Sequence, residues 1–136
     1  MSQLTFLHLN PDWNAEPNAP HLKVAVEGST VVLSFYLNPF AYEATEGEIG
    51  RVVFKGCSRW RWDTTNDEAW SSGKGRFSRE APKWGEFYEI VGEDVSVEDQ
   101  EWEVISQNDA KRRHFLFFFR DDAIECIADD WALVRE

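Results

Sequence analysis

The chain has 136 residues, 43% of them hydrophobic and 15% aromatic, and a net charge of −11. A chain of this size can bury the core of one ordinary domain without disulfides, and its composition excludes a disordered polypeptide. The acidic balance argues against general nucleic-acid binding, and no apolar run reaches the roughly 18 to 20 residues of a membrane helix.

The start, "MSQLTFLHLNPDW", has neither a basic opening nor a small-residue cleavage site, so no secretory signal is read there. Cys57 and Cys126 are accordingly expected as reduced thiols, and the cytoplasm as the location. Seven Trp and ten Phe favour pleated, half-buried surfaces.

Residues 3–9 alternate Leu4, Phe6 and His8 against Thr5, Leu7 and Leu9 and read as a first strand. Pro11, Pro17 and Pro20 then make a loop. Residues 21–37 read as a hairpin with Gly28-Ser29 at its turn. That choice pairs Val26 with Val31, Val24 with Leu33 and Leu22 with Phe35 on one apolar face, and glycine in the first turn position suits type II′.

Residues 49–62 read as one long extended segment with a bend or bulge at Gly56. Val52, Phe54, Trp60 and Trp62 share one parity and are expected in the core. The opposite parity carries Arg51, Lys55, Arg59 and Arg61. Residues 63–85 are rich in Gly, Ser, Pro and charge, and are expected to form a long loop, mobile or functional. Strands are expected at 86–92 and 101–106, and a turn at 107–113.

The segment "HFLFFFRDDAIECIADDW", residues 114–131, reads as a hairpin turning at Asp121-Asp122. Phe119 then pairs with Ile124, Phe117 with Cys126 and Phe115 with Ala128, all on a core face. Phe118 pairs with Glu125, Leu116 with Ile127 and His114 with Asp129 on the other. That second face is amphipathic. Either the 63–85 loop covers it, or it is a binding surface of Leu116, Phe118 and Ile127 beside His114, Glu125 and Asp129.

The whole is expected to be all-β, or β-rich α+β: a single domain over residues 1–136 built as one antiparallel barrel or sandwich. The sequence offers little chemistry. The "SGKG" around Lys74 lacks the glycine and the Ser or Thr of a phosphate loop. His8, His21 and His114 have no partner at a metal-ligand spacing, so neither a metal nor a cofactor is expected. His114 with an acid could act in proton transfer, but a structural pair is the simpler reading, and no enzyme is expected.

Charge is unevenly placed. Residues 51–83 hold eight Lys or Arg against four acids, inside an otherwise acidic chain. Either those cations pair internally with acids on neighbouring strands, or Arg59 and Arg61 serve an anionic ligand or an acidic partner. Trp13, Trp70 and Trp84 fall in loops, as staples or as partner anchors.

The stretches "RHFLFFFRDDAIECIADDW" and "REAPKWGEFYEIVGED" resemble small bacterial families without assigned roles, some of whose members are immunity proteins that block a toxin. The resemblance covers the C-terminal half and carries no catalytic residues. It implies a binding role, possible here as inhibition of a basic protein partner. The alternative is a carrier of a small anionic molecule in an aromatic barrel cavity. Neither nucleic acid nor membrane is an expected partner.

Overall fold

The computed structural model describes residues 4–107 and 112–136. Among these residues ten strands carry the fold: β1 (Thr5–His8), β2 (Lys23–Glu27), β3 (Thr30–Tyr36), β4 (Ile49–Lys55), β5 (Arg59–Asp63), β6 (Phe87–Val91), β7 (Glu103–Val104), β8 (Arg113–Phe118), β9 (Ala123–Ala128) and β10 (Asp130–Arg135). One short helix, α1 (Asp67–Ser71), lies between β5 and β6, capped by the Asn66 side chain on the Ala69 amide. No helix among the described residues is long and apolar enough to cross a membrane.

Two antiparallel sheets result. One has the order β1-β6-β8-β9-β5-β7, the other β10-β4-β3-β2. They do not close on each other, so the architecture is a sandwich and not a barrel. Their facing sides hold Val31, Leu33, Phe35, Val52, Phe54, Phe87, Phe115, Phe117, Phe119, Ile124 and Cys126. Each is a position of constant parity along its strand, as a two-residue side-chain period requires. The space that a barrel cavity would occupy is filled by these rings. Phe117 stacks on Phe119 at 4.2 Å and on Phe87 at 4.9 Å.

The hairpin of β2 and β3 has the expected register, with Val24 opposite Leu33 and Val26 opposite Val31. Gly28 takes φ +60 while Ser29 does not have positive φ, as a type II′ turn requires. Burial departs from expectation at one place. β2 is an edge strand, so Val24 is only partly buried and Val26 is exposed.

The segment 49–62 is not one strand. It crosses from one sheet to the other at Gly56, which has φ +63, so β4 and β5 belong to different sheets. β9 and β10 cross at the neighbouring point, Asp129, whose amide donates to Lys55 O at 2.9 Å. A Cβ on Gly56 would strike the Asp129 carboxylate. Strands that switch sheets at such bends are how a sandwich makes its corners.

After the bend Trp60 still packs on the core, but Trp62 is 43% exposed and donates its indole N–H to Asp122 at 2.7 Å. Its expected core placement is thereby corrected. The strand expected over 101–106 shrinks to the two residues of β7. The turn expected at 107–113 falls largely outside the described residues.

The C-terminal hairpin turns two residues earlier in summed register than expected. Phe119 N donates to Asp122 O at 2.7 Å, and the pairs are Phe118 with Ala123, Phe117 with Ile124, Leu116 with Glu125, Phe115 with Cys126 and His114 with Ile127. Arg120-Asp121 is therefore the turn. A slip of two preserves the faces and changes only the partners.

Candidate functional site

The second face of the larger sheet is covered. Phe77, Ala81, Trp70 and Trp84 come from the 63–85 segment and pack on Leu116, Phe118, Tyr88 and Ile90. Trp84 stacks on Phe118 at 4.5 Å, and Trp70 meets the same ring edge-on at 5.9 Å. Leu116 and Phe118 are about as buried as the main core, and Ile127 is buried as well. These three residues form no open binding surface. Trp70 and Trp84 are staples, and so is Trp13, which packs between Phe35 and Phe117.

Polar groups gather where this second core meets β5. Glu125 is 1% exposed, and four donors reach its carboxylate. Oε1 accepts from Arg76 Nη2 at 2.7 Å and His114 Nε2 at 2.8 Å; Oε2 accepts from Arg61 Nη1 at 2.7 Å and Arg76 Nε at 3.1 Å. An ionised carboxylate offers about four acceptor sites, so all are used. Because that oxygen can only accept, the His114 proton sits on Nε2. Arg76 also bonds Asp94, by Nη2 to Oδ2 at 2.7 Å, and Ser96 Oγ at 3.0 Å. Burial pushes the Glu125 carboxyl up, but the bonds from His114 and Arg76 outweigh it and hold it down at about 2.

The sequence therefore placed His114 beside the wrong acid. Its partner is Glu125, while Asp129 is exposed at the sheet corner and accepts from Arg112 Nε at 3.1 Å. Arg61 is held by Glu125 and lies 3.6 Å from Asp63, and Arg59 bonds Glu98 at 2.8 Å and lies over the Trp102 ring at 4.8 Å. Four of the basic stripe's eight cations, Arg51, Arg59, Arg61 and Arg76, thus pair internally, with acids other than those at 86–89 or 101–103, while no ion pair among the described residues holds Lys55, Lys74, Arg79 or Lys83. One oxygen or nitrogen each of Asp94, His114 and Glu125 lie within 4.8 Å of one another. Two guanidiniums already occupy those carboxylates, which opposes a divalent cation there. The cluster suits structural neutralisation.

A second constellation had no signal in the sequence. A cleft of about 630 Å³ opens between the loops at 14–18, 38–42 and 83–86, the start of α1, and the turn at Arg120-Asp121. Its lining includes Glu16, Asp67, Glu68, Glu86 and Asp121 against only Lys83 and Arg120. Glu86 is 7% exposed. Its Oε2 accepts from Asn10 Nδ2 at 3.2 Å and Asn14 Nδ2 at 3.0 Å, with His8 Nε2 at 3.5 Å. Burial raises the nearby Tyr42 phenol, and the Glu86 charge adds to it. No periodicity or short motif links residues 14, 42, 67 and 86, so only the folded chain brings them together.

Fold and site together define an antiparallel β-sandwich with an acid-lined cleft. Comparison with protein-family models, with curated proteins and with solved structures finds no match in any of the three.

Proposed function

We propose that this chain is a non-enzymatic cytoplasmic binding protein of immunity type, which inhibits a basic protein partner. The observation that carries this reading is the separation of its charges. Arg51, Arg59, Arg61, Arg76, Arg112, Arg113 and Arg135 are each tied to acids of the same chain. With a net charge of −11, the surplus carboxylates then face outward. Asp67, Glu68 and Asp121 are exposed around the cleft, and Asp99, Glu101 and Glu103 form a second exposed group. Such a field speeds encounter with a basic partner and selects against acidic ones. Beside the cleft, Phe40 is 77% exposed, a large ring suited to anchor an interface.

The carrier reading needs Arg59 or Arg61 aimed into an enclosed pocket. Both are engaged with acids, and the space between the sheets is packed, so the inhibitor reading is favoured.

The test is affinity capture from the source cells, followed by work with the purified partner. The partner should be basic, lose its activity at equimolar inhibitor, and associate at least tenfold more slowly when ionic strength rises roughly tenfold. A partner whose activity is untouched, or whose association ignores salt, would overturn the proposal.

A further inference from the structure

We infer that the acid-lined cleft receives one arginine side chain of the partner, with Glu86 as the charged acceptor and the Trp84 ring as a wall. This rests on the reading of the chain as a binder of a basic protein.

The argument starts from a contrast between two buried carboxylates. Glu125 is surrounded by donors and uses both oxygens fully. Glu86 is nearly as deep, but among the described residues only Oε2 is bonded. No Lys or Arg of the described residues pairs with it, and its one basic neighbour is His8. Oε1 keeps contact with solvent, and Glu86 lines the cleft, so a donor from outside can reach it.

The acceptor is also held rigid. Asn10 is fully buried, and its Oδ1 accepts the Phe87 amide at 3.0 Å while its Nδ2 donates to Trp13 O at 3.1 Å as well as to Glu86. Asn14 Nδ2 also donates to Gly85 O at 2.6 Å, and its Oδ1 accepts from Ala15 N at 2.8 Å. Neither amide can turn to serve Oε1 without breaking these bonds.

The chemistry of the walls selects among cations. Trp84 lines the cleft and is held by stacking on Phe118, so a flat cation entering beside it meets a fixed ring. A guanidinium is planar, weakly hydrated and carries five donors, which matches a carboxylate edge beside an aromatic face; an ammonium matches only the charge. Arg120, the cleft's own guanidinium, is committed to Asn18 O at 2.6 Å, and Lys83 lies exposed on the rim. A volume of about 630 Å³ leaves room for a side chain and its flanking backbone.

The test is an NMR titration with N-acetyl-arginine amide, against N-acetyl-citrulline amide as the neutral isostere. The arginine amide should shift the Asn14 side-chain amide and the Trp84 indole, the citrulline amide should not, and Glu86→Gln should abolish the response. Equal shifts from both probes in the wild type would overturn the assignment, whatever the variant does. So would shifts spread evenly over all exposed acids. Glu86→Gln should also weaken the captured partner at least tenfold. If arginine amide binds here but no inhibited partner exists, the pocket stands and the inhibitor reading falls. If an inhibited partner exists and Glu86→Gln leaves its affinity unchanged, the pocket falls and the reading stands.

Discussion

Arg76 and Glu125 meet edge to edge, Nε on Oε2 at 3.1 Å and Nη2 on Oε1 at 2.7 Å, although 49 positions separate them. Arg76 lies in the segment that covers the second face, and Glu125 lies in β9 beneath it. The pair is the polar fastening of that cover, beside the apolar contacts of Trp70, Phe77 and Trp84.

Arg76→Ala should therefore cost about 3 kcal/mol in urea unfolding, because it leaves Glu125 and Asp94 short of a buried partner. Arg79→Ala, on an exposed residue of the same segment, should stay within about 0.5 kcal/mol. Equal effects from the two would show that the pair does not fasten the cover.

Acid should weaken the protein through Glu125. Its carboxyl is lowered from 4.5 to about 2 in the folded state, so the folded chain binds this proton less readily than the unfolded one. The stabilisation is present above the unfolded value and is lost as pH falls from about 5 towards 2, amounting to about 3 kcal/mol by linkage. Unfolding free energies measured across that range should fall steeply in the wild type and less steeply in Glu125→Gln. Parallel curves would assign the acid sensitivity to other carboxylates.

Phe117→Ala and Phe118→Ser should be similarly damaging, each by about 3 to 5 kcal/mol. Phe117 belongs to the core between the sheets and Phe118 to the core beneath Trp84 and Trp70. Thermal or urea unfolding of both variants checks this. A mild effect at Phe118 alone would mean that the cover opens readily in solution.

Cys57 and Cys126 are both buried as free thiols, with Cys57 Sγ donating to Arg59 O at 3.2 Å. Burial pushes the Cys126 thiol well up, which keeps it a poor nucleophile. The native protein should react slowly with a bulky thiol reagent, and the denatured, unreduced protein should give two thiols. A count of zero with a mass two hydrogens light would reveal a disulfide.

The sequence by itself determined which side chains share a face. Phe115, Phe117 and Phe119 could be separated from Leu116 and Phe118 because strand alternation is local and survives a two-residue slip. It also determined the β2–β3 hairpin, where Gly28 and the apolar pairs agree on one register. The partners across the C-terminal hairpin were not legible, since Asp121-Asp122 is no better a turn than Arg120-Asp121 and both registers give the same faces. Hence Glu125 was placed opposite Phe118, and His114 was given Asp129. Tertiary structure alone decided that the chain changes sheets at Gly56 and Asp129, that the 63–85 segment buries Phe118, and that Glu86 sits at the base of a cleft. Each depends on contacts between residues tens of positions apart, where the energy comes from burial and charge pairing in three dimensions and leaves no periodic trace along the chain.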